Sequence, residues 1–598
     1  MKPILFLFCC LLSISTWGQQ DLNYALKLQN SEQYEEAGKV FEDLIKKDPA
    51  NGDLYYYYGE TVLKYYLADT FSNSAEQFGK MAEGLFQQGI KQAPANVLNQ
   101  IGMGAAILMQ TSDTNKANPY FAQAESVVPI TIKKKEYTPQ KAVILTKLAA
   151  AQLFGKVNRF KVALNYLNRA KVINPNDPNI YLVFGEVYIR MNDATNALYN
   201  YNQALNKDPK SPLPKIKIGN IYMRVPNINA ARPYFEDALQ IDSTFAPVYR
   251  SLGELWTMAG RHDLAKQYYA KFVIMSGNTT PAKIRYGNSL FRAKDYAGAL
   301  DVIEEVLKVD NSRNYLNRLA AYSCWEKKPQ ELEKGKTYME TFMKNSDAEN
   351  LITRDYWYYG HILYKLAKND SVMLDKAFET LKKAYSMDET DKALLSEIAS
   401  NYYYSRRYKE AVETYKLKAQ KGWAGKGDPM IVGKCYYQLK DTKMADETFS
   451  KIVAEEPDNI QAHLYLARTY SNMEDPNDRQ GLAAPKFENM IKQIGDRTVE
   501  YKAELSEAYK YMGIYTYQSG KFETSKSWYD RLFAADPDNK DQQILSLKAK
   551  AMINYKEKDY VAARENYNKV MVIDPNDKES KQAISDLTKV INAERNLK

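Results

Sequence analysis

Cysteine and histidine are scarce in this chain of 598 residues, which contains four cysteines and three histidines. Cys9 and Cys10 lie in an apolar N-terminal stretch, so only Cys324 and Cys435 remain in the rest of the chain. No histidine has a second histidine or a cysteine at the spacing of a metal site. The sequence therefore predicts neither a disulfide framework nor a metal centre.

Motifs of catalysis and cofactor binding are also missing. The chain contains no G-x-S-x-G element, and no alternation of strands and helices that would host a dinucleotide. The segment GWAGKGDP, residues 422–429, lacks the spacing and the Ser/Thr of a phosphate-binding loop. We therefore expect a protein that is not an enzyme and binds no cofactor.

Long apolar runs are absent beyond the N-terminus. A lysine, the short apolar run Ile4–Ile14 and small residues around a cut after Gly18 form the pattern of a secretory signal peptide, residues 1–18. Cys9 and Cys10 do not follow the small residues that a lipoprotein signal needs, which leaves lipid attachment as the alternative. No later stretch reaches ~18 apolar residues. We expect a periplasmic protein without a transmembrane segment.

A period of 34 residues is present throughout the chain. Small residues recur at Gly185, Gly219, Gly253 and Gly287, and alanines recur at the same interval from Ala197. We number each repeat so that the small residue of its first helix, such as Gly185, is position 8. The frame then contains fifteen repeats, with position 8 at Ala25, Gly59, Ala105, Ala151, Gly185, Gly219, Gly253, Gly287, Ala321, Gly360, Ala399, Gly433, Ala467, Gly513 and Ala551. A period of this length indicates a solenoid.

Each repeat contains two helical patterns. Tyr181, Phe184 and Gly185 share one face of a first helix, and Ala197 starts the apolar face of a second. Gly185 and Ala197 are small enough to permit close approach of the two helices. Pro209, which follows a polar run, ends the second helix.

This period and residue order resemble the tetratricopeptide repeat, with its pattern W-x2-L-G-x2-Y, A-x3-F, P. The resemblance implies an all-α solenoid of helix–turn–helix units. We expect residues 19–577 to form about fifteen tandem repeats in one continuous superhelix, and residues 578–598 to form a C-terminal capping helix with a polar outer face. Insertions near 70–80 and 125–140 interrupt the period, and whether they are functional stays open.

The resemblance also implies that positions 2, 5, 9 and 12 of the first helices line a concave groove. In the last six repeats, position 12 is tyrosine five times, at Tyr364, Tyr403, Tyr437, Tyr517 and Tyr555. Cations occupy positions 5 or 9 nearby, at Lys434, Arg468, Lys510 and Lys548. Aromatic faces with hydroxyls suit an extended peptide or a glycan, whereas packing of these tyrosines on the next repeat is the alternative.

These features favour a non-enzymatic protein–protein interaction scaffold or adaptor in the cell envelope, which binds partner segments in the groove. Protein secretion, gliding and outer-membrane assembly are candidate machineries, because the Tyr-, Asn- and Lys-rich composition is similar to that of Bacteroidetes proteins. The alternative is a periplasmic glycan- or nutrient-binding protein of a starch-utilisation-like uptake system. The net charge of +9 without a long basic cluster gives no sign of nucleic-acid binding. Any membrane association would occur through protein partners.

Overall fold

A computed structural model describes residues 21–68, 74–128, 133–225, 227–368 and 370–596. The predicted signal peptide lies outside the described residues, and so do parts of both insertions.

The described residues form thirty-one α-helices and no strand. The helices are α1 (21–30), α2 (Tyr34–Lys47), α3 (Gly52–Ala68), α4 (Ala75–Gln92), α5 (Leu98–Thr111), α6 (Thr114–Glu125), α7 (Pro139–Ala151), α8 (Phe160–Ile173), α9 (Pro178–Arg190), α10 (Ala194–Lys207), α11 (Leu213–Arg224), α12 (Ile228–Ile241), α13 (Ala246–Met258), α14 (His262–Met275), α15 (Thr280–Arg292), α16 (Tyr296–Val309), α17 (Tyr315–Glu326), α18 (Leu332–Lys344), α19 (Thr353–Ala367), α20 (Ser371–Met387), α21 (Lys392–Tyr404), α22 (Tyr408–Gln420), α23 (Asp428–Gln438), α24 (Thr442–Glu455), α25 (Ile460–Ser471), α26 (Ala484–Ile494), α27 (Lys502–Gln518), α28 (Phe522–Ala535), α29 (Lys540–Lys556), α30 (Tyr560–Ile573) and α31 (Lys578–Asn596). Odd-numbered helices up to α29 are the first helices of the repeats, and α31 packs on α30 as the cap. The all-α solenoid fold is confirmed.

The small residues of the frame lie where the two helices of a repeat meet. Position 8 is buried in all fifteen repeats. A Cβ atom on Gly185 would lie 2.2 Å from Cε1 of Tyr201, and one on Gly219 would lie 2.5 Å from Cε1 of Phe235. The aromatic side chain of the second helix therefore fills the space that the missing side chain of the first leaves.

Polar side chains fix the turns between repeats. The hydroxyl of Tyr181 donates to the carbonyl oxygen of Pro175 at 2.8 Å, and Nε2 of His463 lies 2.9 Å from that of Pro457. Both side chains stand at position 4 of their repeats. These bonds use carbonyl groups of the turns, one residue beyond the C-caps of α8 and α24.

The chain divides within α20 into two compact units. The first unit ends at Ala377, and the second begins at Phe378. We call them the N-terminal unit and the C-terminal unit. In the N-terminal unit, the α1–α2 turn contacts helices far along the sequence: Nε2 of Gln33 donates to the carbonyl oxygen of Met275 at 2.8 Å. The first hairpin is thus joined to the seventh repeat.

The described part of the first insertion lies in helices, and a further insertion in the thirteenth repeat forms an anchored loop. The first one lengthens α3 and α4 to 17 and 18 residues. In the thirteenth repeat, Ala483 precedes the second helix instead of lying within its first turn, because an inserted loop shifts the helix start. Buried Glu474 holds this loop, accepting from the hydroxyl of Tyr511 at 2.6 Å and the backbone N–H of Leu482 at 2.6 Å.

The two cysteines of the helical region, Cys324 and Cys435, are buried and unpaired. Burial raises the pKa of each thiol to about 12, so both stay protonated. Within the described residues, no helix combines the length and the apolar character needed to cross a membrane.

Candidate functional site

The predicted tyrosines stand on the first helices of five repeats. Tyr364 belongs to the N-terminal unit, and the other four belong to the C-terminal unit. Tyr364, Tyr403, Tyr437 and Tyr517 are partly buried, whereas Tyr555 is 55% exposed. The tyrosines therefore differ in how much surface they offer to a ligand.

Three of the tyrosines pack on an aromatic residue five positions later, at the start of the second helix. The ring centroids are 6.1 Å apart for Tyr403–Tyr408, 5.8 Å for Tyr517–Phe522 and 5.6 Å for Tyr555–Tyr560. Sequence reasoning missed this contact, although the recurring aromatic at the first residue of the second helix was a visible signal. The contact packs each ring against the turn between the two helices.

Tyr437 is arranged differently, because its repeat has Thr442 where the others have an aromatic residue. Its ring packs edge-on against Tyr465 of the next repeat, with centroids 5.5 Å apart. The Lys434 ammonium and the Arg468 guanidinium each lie 5.1 Å from the centroid of the Tyr465 ring. Tyr437, Lys434 and Arg468 thus form one cluster around Tyr465.

Tyr517 and Tyr555 line a common groove near the C-terminus, with a volume of about 310 Å³. We call it the Tyr517–Tyr555 groove; its walls are Tyr517, Met552, Tyr555, Lys556, Tyr567, Ala583, Asp586, Leu587 and Val590. Met552 is 53% exposed. Burial raises the pKa of Tyr567, so its hydroxyl stays a hydrogen-bond donor. The groove offers apolar surface with a few polar atoms at its edge.

Two of the predicted cations are neutralised within the protein. Arg468 donates to both carboxylate oxygens of Glu507, at 2.7 and 2.6 Å. Nζ of Lys548 lies 2.7 Å from a carboxylate oxygen of Asp577 and 2.7 Å from one of Glu579. The hydrogen bond to Glu507 raises the pKa of Arg468. Burial acts to lower the pKa of Lys548, but its hydrogen bonds to Asp577 and Glu579 outweigh burial and raise it. Arg468 and Lys548 therefore join neighbouring elements and retain little charge for a ligand.

The other two predicted cations have no such partner. Among the described residues, no acidic side chain forms an ion pair with Lys434 or Lys510. Lys510 is exposed and lies two helical turns before Tyr517, on the same face of α27. Lys510 is thus the predicted cation best placed to meet a ligand near the Tyr517–Tyr555 groove.

No metal centre is found in the part of the chain that the structure describes: histidine, cysteine and acidic side chains do not gather there in groups of three. His361 instead places Nδ1 2.6 Å from the carbonyl oxygen of Trp357.

Within the described residues, fifteen helix hairpins and a capping helix form an all-α solenoid similar to those of tetratricopeptide repeat proteins. The tetratricopeptide repeat family model matches residues 430–459, which cover most of the twelfth hairpin and the turn after it. That match supports a tetratricopeptide repeat at this hairpin. No curated protein matches the chain.

Several solved tetratricopeptide repeat structures are similar to parts of the chain. The C-terminal part of a repeat-containing protein from Cytophaga hutchinsonii is 25% identical, covers 44% of this chain and 99% of its own, and has a TM-score of 0.32. A protein from Parabacteroides merdae is 16% identical over 44% of this chain and 98% of its own, with a TM-score of 0.29. YrrB, described as having an unusual peptide-binding site, is 16% identical over 33% of this chain and 96% of its own, with a TM-score of 0.29.

Proposed function

We propose that this protein is a non-enzymatic scaffold that binds segments of partner proteins in the Tyr517–Tyr555 groove. A tetratricopeptide-like fold suggests a protein–protein interaction scaffold. The observation that carries the proposal is the exposure of Tyr555 and Met552 beside the half-buried Tyr517, all lining one groove. Tyrosines are frequent among the residues that dominate binding energy at protein interfaces.

The charge near the groove favours an acidic partner segment. Lys510 has an exposed ammonium group on the face of α27 that carries Tyr517. A carboxylate beside an aromatic residue of the partner would pair with this ammonium while the aromatic ring enters the groove. Lys434 offers a second ammonium group near Tyr465. The proposed ligand is therefore an extended segment that contains both acidic and aromatic side chains.

The scaffold is proposed to act in the periplasm, as a part of envelope machinery for secretion, gliding or outer-membrane assembly. Residues 1–18 motivate this location, because they have the pattern of a cleavable signal peptide. Mass spectrometry of the native protein tests it. An N-terminus at Gln19 supports export by signal peptidase, whereas an intact Met1 or a lipid on Cys10 contradicts it.

Selection of phage-displayed peptides on the immobilised full-length protein tests the binding function. We expect enriched peptides to contain Asp or Glu within a few residues of Trp, Tyr or Phe. Lys510→Gln should weaken binding of these peptides about tenfold, since hydrogen bonds to charged groups contribute ~1.5–3 kcal/mol.

Tyr199→Ala is the matched control for changes in the groove, because Tyr199 is 56% exposed but lies in the N-terminal unit. Peptides without an acidic–aromatic preference, or binding that Lys510→Gln leaves unchanged, would contradict the proposed ligand. Binding of oligosaccharides in place of peptides at the same groove would support the glycan-binding alternative.

A further inference from the structure

The N-terminal unit contains two adjacent cavities on the inner side of its first helices. One has a volume of about 470 Å³ and the other of about 330 Å³. Both are lined by Lys64, Leu67 and Lys217, so they adjoin at these side chains, and we call the two together the inner cavity. Each volume is within the range of sites that bind small molecules.

Cations outnumber anions around the inner cavity. Six basic side chains line it: Lys64, Arg190, Lys217, Arg224, Arg250 and Arg285. The acidic side chains that line it are three, Glu32, Glu60 and Glu186. The lining alone therefore has an excess of three positive charges, but Glu254 outside it also pairs with Arg250 at 3.3 Å and with Arg285 at 3.2 Å.

Each of the three acidic side chains is already paired. Glu60 lies 2.6 Å from Nζ of Lys147 and 3.2 Å from Nζ of Lys64. Glu186 pairs with Lys217 at 2.8 Å. These carboxylates thus neutralise part of the positive charge of the lining, and the rest of that charge is available to a ligand.

Glu32 completes the wall of the inner cavity from the first hairpin. Its carboxylate accepts from Nη2 of Arg250 at 2.9 Å and from Nε of the same side chain at 3.2 Å. The contact between Gln33 and Met275 lies beside it and holds the α1–α2 turn against the seventh repeat. The first hairpin therefore borders the cavity on one side and limits the size of a ligand.

Arg190 and Arg224 contribute the unneutralised charge. They stand 34 residues apart at position 13 of successive repeats. Within the described residues, neither guanidinium forms an ion pair, and Arg224 donates only to the carbonyl oxygen of Ile189 at 3.3 Å. Guanidinium groups at this spacing can each offer two parallel N–H donors to an oxyanion.

The ionisation of neighbouring groups agrees with a positive potential. Burial alone would raise the pKa of Glu60, but the charges of Lys147 and Lys64 lower it to about 2. Burial lowers the pKa of Lys64; the charge of Glu60 opposes this shift, and the charge of Lys147 adds to it. An added anion would relieve the repulsion among these ammonium groups.

We propose that the inner cavity is a binding site for a small multivalent anion that carries phosphate or carboxylate groups. Arg190 and Arg224 bind its oxyanions directly, and Lys64 and Lys217 supply further positive charge. This site is separate from the Tyr517–Tyr555 groove and does not depend on the function proposed for that groove.

Isothermal titration calorimetry of the full-length protein with pyrophosphate and with citrate, at low ionic strength, tests this proposal. We expect saturable binding of one anion per chain, and the stronger of the two probes identifies the preferred oxyanion. Arg190→Gln combined with Arg224→Gln should weaken binding about a hundredfold, or about tenfold for each arginine. The melting temperature should not change, because neither substitution removes an ion pair.

Arg292→Gln is the matched control. Arg292 stands at the same position of its repeat as Arg190 and Arg224, is exposed, and does not line the inner cavity. Binding should be unchanged in this variant. The proposal is wrong if neither anion binds, if the double variant binds as the unmodified protein does, or if Arg292→Gln weakens binding equally.

Discussion

The two units use the same helix hairpin but connect their repeats differently. In the C-terminal unit, polar pairs such as Arg468–Glu507 and Gln461–Glu504 join adjacent repeats, 39 and 43 residues apart. The N-terminal unit has such pairs too, for example Glu186–Lys217, but it also joins Glu32 to Arg250, which are 218 residues apart.

The two units therefore differ in the contacts that stabilise them and in the surface that they offer to a ligand. A solenoid with nearest-neighbour contacts has a stability that is close to a sum over its repeats. The pair Glu32–Arg250 adds a long-range contact to the N-terminal unit and borders its cation-rich cavity. The C-terminal unit instead presents a tyrosine-lined groove near its last helix.

The largest difference should appear when an ion pair is broken in each unit. Asp355 is fully buried and accepts from Nε and Nη2 of Arg318, both at 2.8 Å, and from the hydroxyl of Tyr322 at 2.7 Å. Asp355→Ala removes the carboxylate that Arg318 and the hydroxyl of Tyr322 share, although Nη2 of Arg318 still donates to the carbonyl oxygen of Asn350, and it should lower the free energy of unfolding by about 3–5 kcal/mol. Urea denaturation followed by circular dichroism measures this loss.

Glu507→Ala is the counterpart in the C-terminal unit. In the ion pair of Glu507 with Arg468, each side chain is about one-third exposed, so the loss in free energy of unfolding should be below ~1 kcal/mol. Equal losses for the two variants would contradict the difference in burial on which this prediction is based.

Close helix packing should be common to both units. A Cβ atom would lie 2.2 Å from the ring of Tyr201 at Gly185 and 2.6 Å from the ring of Phe449 at Gly433. Overpacking costs about 1–3 kcal/mol, which should exceed the ~1 kcal/mol that alanine gains in helix propensity. Gly185→Ala and Gly433→Ala should therefore lower the thermal midpoint in both units.

Gly287→Ala is the control for this pair, because the nearest atom to its Cβ would be Cγ1 of Ile303 at 3.3 Å. There the gain in helix propensity should dominate and raise the midpoint slightly. A lower midpoint for Gly287→Ala, or a higher one for Gly185→Ala, would contradict the packing account.

For Glu32→Gln the expected loss of stability is small, about 1 kcal/mol. The positions in the chain at which stability is lost are more informative than the size of the loss. Hydrogen exchange should become faster both in α1–α2 and in α13–α14, which are more than 200 residues apart and joined at Arg250 and Met275. Faster exchange in the first hairpin alone would show that the long-range contact does not couple these elements.

Sequence spacing predicted the helices because close contact between two helices excludes all but the smallest side chains. Every position-8 residue of the frame is buried for that reason. The contact of Glu32 with Arg250 could not be predicted from the sequence, since it depends on the sum of the small rotations between successive repeats. The neutralisation of Arg468 by Glu507 depends on the same geometry between first helices.

The residues that line the groove could be predicted only in part from the sequence, for a similar reason. The period placed the tyrosines on one face of the first helices, but exposure depends on local neighbours. Tyr437 packs on Tyr465, whereas Tyr555 remains open beside Met552. Only the arrangement of α27, α29 and α31 identifies which tyrosines share a groove.

The most direct test of the central claim is the affinity of an acidic–aromatic peptide for Tyr555→Ala, measured on the same samples as the melting temperature. The account predicts at least about a tenfold loss of affinity, because truncating an interface tyrosine of this kind costs ~2 kcal/mol. Since Tyr555 is 55% exposed, the melting temperature should stay within about 2 °C of the unmodified protein, as it should for Tyr199→Ala, which keeps full affinity. Unchanged affinity in Tyr555→Ala, or a loss that Tyr199→Ala reproduces, would contradict binding in the Tyr517–Tyr555 groove.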